Sequence, residues 1–357
     1  MTENRDRRLA SLAMRVGDWI NRIDPGTHRR VKGLRLVTAY GLAAMLATVP
    51  NIAEGHGPLL SPLAAGFALW ASVSEARDTR YESARDLTWL CVAAGGGAAV
   101  FVWFAPRLGP TWVELPLVSG SFCVGYLKRF GILGSGIGSQ IFIGQLLAFG
   151  TGAALPDIPT IALATVLAIV GSVVPRLLSG PAELPILPAP LPEGVTALPE
   201  IVMGLQAGIA ALAIVVLGRV VGLTQSAWAI TACTYVVANS TAGTIDRVRR
   251  RIVGTLVGVP LGLAWLPVAV HVPLLTWIAA AMAMIIYAMA LPEHYDIASG
   301  VYAFALIITM AASGEYPAAL LFARAWETVV GGALGIAVVL LLAPLPKLLN
   351  RPSVPDS

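Results

Sequence analysis

Residues 239–262 read NSTAGTIDRVRRRIVGTLVGVPLG, a polar, arginine-dense turn that passes straight into an apolar helix with evenly spaced glycines. Four arginines, Arg247, Arg249, Arg250 and Arg251, crowd into five residues with apolar sequence on both sides. Positive charge is retained on the cytoplasmic side of a spanning segment, so this cluster fixes the direction of the helices beside it. Gly254, Gly258 and Gly262 follow at i, i+4 and i+8. Such a bare stripe lets a second helix approach closely in lipid, where hydrophobicity supplies no drive for helices to associate.

The composition around that stretch sets the class. The 357 residues are 57% hydrophobic and 12% charged, with a mean hydropathy of +0.76, far outside the range of soluble domains. The net charge of +4 sits in segments between apolar runs and reports orientation rather than nucleic-acid binding. Cys91, Cys123 and Cys233 lie inside apolar runs without ligand or pairing spacing, and read as small buried side chains.

With about 20 residues needed per crossing, the chain offers about twelve spans. The expected spans are 34–53, 58–74, 87–104, 112–127, 132–152 and 158–178, then 200–218, 225–241, 252–270, 273–291, 297–313 and 318–343. The fold class is all-α, polytopic, with two parallel six-helix repeats at 34–178 and 200–343. Segment 1–33 places Leu9, Leu12, Ala13, Val16, Ile20 and Ile23 opposite Arg7, Arg8, Arg15 and Arg22, a basic amphipathic helix suited to the cytoplasmic leaflet. The proline-rich 179–199 is an extended cytoplasmic linker, and 344–357 a cytoplasmic tail.

Two further patterns agree with that layout. With an even span number and a cytoplasmic N-terminus, all of the 24 lysines and arginines except Arg107, Arg219 and Arg324 fall inside. The halves also resemble each other at an offset of roughly 165 residues, the signature of an internal repeat. Trp70 matches Tyr235, Gly97 matches Gly262, Gly136 matches Gly300 and Gly171 matches Gly335, while Asp86 stands opposite Arg251 and Thr160 opposite Arg324. Six spans per half make the halves parallel, with an axis along the membrane normal and an interface of the kind that encloses sites.

The segments QSAWAITACTYVV at 225–237, RRRIVGTLVG at 249–258, YDIASGVYAFALIITM at 295–310 and RAWETVVGGALG at 324–335 resemble the membrane domain of the fusaric acid resistance family. That family is also described as aromatic acid exporters, and is similar to the plant aluminium-activated malate transporters. The resemblance implies a multi-pass inner-membrane protein that exports aromatic or other organic carboxylates on an ion gradient. A passive organic-anion channel and a non-transporting scaffold of an envelope or efflux complex are the alternatives. The implied partners are the bilayer, a small organic anion, efflux proteins and a second copy of the chain, with no nucleic acid and no cofactor.

A charge at the centre of a spanning helix costs about 2.5–3.5 kcal/mol on insertion scales, so it needs a partner, water or a role. Arg324 and Glu327 stand at i and i+3 of the last span. They form either an internal ion pair or a site in which Arg324 grips a substrate carboxylate and Glu327 releases it or accepts a proton. Arg251 offers a second anionic handle beside the glycine stripe, at the cytoplasmic mouth. Thr231, Tyr235 and Asn239 share one helical face with Trp228 a turn earlier, either as interhelical hydrogen-bonding groups or as the lining of an aromatic anion's route. Gln140, Gln145 and Gln206 read as interhelical hydrogen-bonding groups.

Enzyme signatures do not emerge. His28, His56, His271 and His294 are scattered, and GSGIGSQ at 134–140 sits in an apolar run without the strand and acidic partner of a dinucleotide fingerprint. The reading is a transport protein and not an enzyme.

Overall fold

The computed structural model describes residue 24 and residues 28–54, 59–77, 79–179, 198–223, 226–237, 241–291, 293–312, 314 and 318–342, without the side chains of 51–54, 198, 241, 318–322 and 324–325. The amphipathic stretch before His28, apart from Asp24, lies outside the described residues, as do the linker at 180–197 and the tail after Leu342.

Every regular element among the described residues is helical. The first half holds α1 (His28–Glu54), α2 (Leu60–Ser74), α3 (Arg80–Leu108), α4 (Pro116–Tyr126), α5 (Gly131–Gly150) and α6 (Ile158–Leu178). The second half holds α7 (Leu198–Val221), α8 (Ser226–Val236), α9 (Thr241–His271), α10 (Pro273–Ala290), α11 (Tyr295–Ala312) and α12 (Ala318–Leu342). A helix thus stands at each of the expected spans. Eight stretches among the described residues are long and apolar enough to cross a bilayer by length and composition, and one of them, Pro116–Gly150, takes in both α4 and α5.

Three helix starts depart from the sequence reading. α1 begins at His28, so the boundary expected at residue 33 falls inside a helix whose first-turn amides, at Arg29 and Arg30, donate to the Asp24 carboxylate at 3.0 Å each. α9 begins at Thr241, which makes the arginine cluster helical rather than a turn. Arginine is a good helix former, and Asp246 pairs with Arg250 one turn on at 2.8 Å. α3 likewise starts at Arg80, before its apolar run, where the Thr79 hydroxyl accepts from the Glu82 amide at 3.2 Å.

Glycines set the helix spacing. A Cβ on Gly254 or Gly258 would overlap the backbone of α11 at Asp296 and Gly300, and one on Gly262 would meet Ile307. In the first half a Cβ on Gly97 would overlap Ile141, and one on Gly144 would overlap Ala94, so α3 and α5 touch in the same manner. α4 and α5 fold back on each other through Leu127–Phe130, with Gly120 against Phe142 and Gly138 against Cys123, and Gly131 supplies the positive φ of 73° at the reversal.

The pairing of helices in α1–α6 recurs in α7–α12. α3 packs on α5 and α6, as α9 does on α11 and α12; α1 packs on α2 and α6, as α7 does on α8 and α12. The halves join most extensively where α4 packs against α7 and α10 against α1. Gly125 and Gly204 meet in the first, and Gly33 meets Ile285 in the second.

Candidate functional site

Where the halves meet, aromatic side chains converge on one cation. Arg251, near the polar end of α9, donates from Nη1 to the Tyr295 hydroxyl on α11 at 3.1 Å. Its Nε is buried and has no hydrogen-bond partner among the described residues. Tyr302, two turns beyond Tyr295 on α11, and Tyr287 on α10 lie within electrostatic reach of the guanidinium, as does Tyr235 on α8. Trp70 of α2 closes the cluster from the first half, edge-on to Tyr302 at 5.5 Å and to Tyr287 at 6.2 Å between ring centroids. Tyr287 and Tyr302 are 5.9 Å apart.

The wall behind Tyr235 is also shared between halves. Its ring packs edge-on against Phe142 of α5 at 5.8 Å, and its hydroxyl lies toward Ser139. Gln140, fully buried, donates to the Ser74 hydroxyl of α2 at 3.0 Å, and Gln145 donates to Ser119 of α4 at 3.1 Å. These are the interhelical bonds expected of buried amides in hydrocarbon.

The expected site residues separate into groups. Arg251 and Tyr235 come together. Trp228 is half-buried on α8, while Thr231 is buried and donates its hydroxyl to Ala227 O of its own helix at 2.8 Å. Asn239 lies outside the described residues, and so does the side chain of Arg324, which leaves its relation to Glu327 outside them too. Glu327 is 1% exposed on α12. Gly331 and Gly335 pack on Ala229 and Cys233, so α12 runs parallel to α8 and brings Glu327 level with the first turn of α8. Gly332 packs on Val248, beside the arginine cluster.

Arg251 and its counterpart in the first half are handled differently. Asp86, at the equivalent position of α3, is bound by Arg77 Nε at 2.6 Å and Arg85 Nη2 at 2.9 Å. The bond from Asp86 raises the Arg77 guanidinium above its ordinary pKa, a tight local neutralisation. Arg251 has a phenol and no carboxylate as its hydrogen-bonding partner among the described residues. A half-buried guanidinium with an unused, buried Nε donor, walled by rings, can receive a planar anion: the fork binds a carboxylate and the aromatic edges and faces bind what it is attached to.

Residues 210–338 match the family model described as fusaric acid resistance protein-like. That stretch is similar to the family. No curated protein and no solved structure matches the chain. The fusaric acid resistance protein-like region runs from within α7 into α12, and carries Arg251 with all four tyrosines of the cluster, whereas Trp70 comes from outside it. Among the described residues no group of histidine, cysteine, aspartate and glutamate side chains could hold a metal ion.

Tyr287, Tyr295, Tyr302 and the contact with Trp70 did not stand out in the sequence. The available signal was the seven-residue spacing of Tyr295 and Tyr302, which puts both on one face of α11, and the repeat match of Trp70 with Tyr235.

Proposed function

We propose that this multi-pass membrane protein transports organic carboxylates, aromatic ones above all, and that Arg251 receives the carboxylate. The observation that carries the reading is a guanidinium bonded to one phenol, with its Nε unbonded, inside a ring of Tyr235, Tyr287, Tyr302 and Trp70. A cation kept at such a place needs a compensating role. The substrate's ring would lie along the tryptophan and tyrosine side chains while its carboxylate takes the guanidinium fork.

In this reading α1–α6 and α7–α12 are parallel repeats, all twelve helices cross, and both chain ends face the cytoplasm of an inner membrane. The recurrence of helix pairings in the two halves supports the repeat, and the location of the cluster between halves fits sites of that architecture. Trp228 belongs to the α8 wall of the route, and Arg324 with Glu327 to its outer part. Export draws on an ion gradient.

Benzoate flux into liposomes holding the purified protein tests this. Flux should appear with a pH gradient, and Arg251→Lys, which keeps the charge and loses the planar fork, should lower it at least tenfold, a scale set by losing a charge-assisted hydrogen bond. A parent-like rate in a folded Arg251→Lys variant would remove Arg251 from the site. Equal flux without a gradient would make the protein a channel, and no flux with any organic anion would leave the scaffold role.

A further inference from the structure

A groove of about 320 Å³ opens on the outer face between α3 and α5, lined by Trp89, Val92, Gly96 and Val100 of α3 and by Ile137 and Ile141 of α5. It exists because the two helices approach through Gly97 while Gly96, the next residue round, presents no side chain outward. A Cβ on Gly96 would meet nothing within 4 Å. In the second half Leu261, 56% exposed, stands at the position equivalent to Gly96. The lining of the groove is almost wholly apolar, as an acyl chain requires.

Basic side chains stand at both ends of the groove, with Arg107 over the Trp103 ring at 4.1 Å at the far end of α3 and two, Arg85 and Arg129, at the near end. Leu90 meets Gly136, so the first turns of α3 lie level with the start of α5. Arg85, one turn before Trp89, keeps a half-exposed guanidinium even while bonded to Asp86. Arg129 is exposed just before α5, over the rings of Tyr126 and Phe130 at 5.4 and 5.0 Å. Trp89 and Phe130, 54% and 60% exposed, flank this end, and Trp103 and Phe104 stand exposed toward the other end of α3. Aromatic side chains in two bands are the mark of a helix face turned to lipid. They also project where a second copy of the chain would need small residues to approach.

We propose that an anionic phospholipid occupies this groove, its phosphate between Arg85 and Arg129 and one acyl chain laid over Gly96. The occupant is a bilayer lipid, and its binding is independent of the Arg251 site. Two basic groups at a membrane surface favour an anionic headgroup by on the order of tenfold over a zwitterionic one.

Native mass spectrometry of the detergent-purified protein, titrated with phosphatidylglycerol or phosphatidylethanolamine of matched chains, reads this directly. The parent should hold phosphatidylglycerol about tenfold more tightly, a margin expected of two basic groups. The Arg85→Gln, Arg129→Gln double variant should lose that preference, and Gly96→Leu should weaken retention of both lipids, with melting in detergent unchanged for each. Unchanged lipid retention in both variants would overturn the proposal, and so would a parent dimer that Gly96→Leu converts to monomers, since the occupant would then be a second copy.

Discussion

Arg251 and Asp86 occupy matching places in the two halves and meet opposite fates: the carboxylate is bound by two arginines of its own neighbourhood, the guanidinium by a phenol. Hydrogen bonding likewise separates the side chains expected on the face of α8. The Thr231 hydroxyl is spent on Ala227 O, whereas the Tyr235 side chain faces Arg251 across the cluster. Thr231→Val keeps the shape and loses only an intrahelical bond, so benzoate flux in liposomes should stay within about twofold of the parent, consistent with a modest net hydrogen-bond contribution. Tyr235→Phe removes a buried hydroxyl at the site and should reduce flux several-fold at equal protein level; the reverse order would assign the route to the Thr231 face. Sequence spacing put both residues on one face and identified Arg251 as a handle. It could not distinguish a hydroxyl turned into its own helix from one turned outward, because that depends on a side-chain rotamer. Nor could it bring Trp70 to Tyr302, since they lie on helices of different halves.

The helices themselves were largely legible, because a run of about 20 apolar residues is dictated by bilayer thickness. Their polar ends were not. Hydropathy marks where lipid stops, while α3 and α9 continue as helix through Arg80–Arg85 and Thr241–Arg250, carried by a threonine cap in one and an i,i+4 pair in the other. The glycine stripe of α9 read correctly as a surface for close approach, and its consequences can be weighed. Leucine at Gly258 would drive a branched side chain into the Gly300 backbone, which cannot give way as a side chain can. Overpacking of this kind costs roughly 1–3 kcal/mol and more where backbone is struck. Leu256, 55% exposed on another face of α9, has room for a larger ring. Gly258→Leu should therefore lower the melting temperature in detergent and the yield of monodisperse protein, with Leu256→Phe close to the parent on both. Equal behaviour of the two variants would mean that α9 and α11 do not depend on this contact.

The arrangement of the whole molecule turns on how α4 and α5 are counted. Pro116–Gly150 passes as one apolar stretch by composition, and as a single crossing it would leave α1–α6 with five crossings and put Ser179 on the opposite side from the N-terminus. The packing argues for two arms: Gly120 lies against Phe142 and Gly138 against Cys123, so α4 and α5 run antiparallel about the reversal at Gly131. α4 has 11 residues, about 16 Å of helix, and reaches across only with the Leu127–Phe130 turn added to it. Six crossings in the first half would return the chain to its starting side, as expected if the basic residues up to Arg35, between α2 and α3, at Lys128 and Arg129, and at Arg176 share one side. Single cysteines test the count in a background with Cys91, Cys123 and Cys233 replaced. Placed at Thr111, exposed in the connection between α3 and α4, a cysteine should react with a membrane-impermeant maleimide added to intact spheroplasts. Placed at Ser179, after α6, it should react only once the membrane is opened. Labelling of both in intact spheroplasts would mean five crossings before the linker, and with them the two halves would run in opposite directions and the parallel repeat would fall.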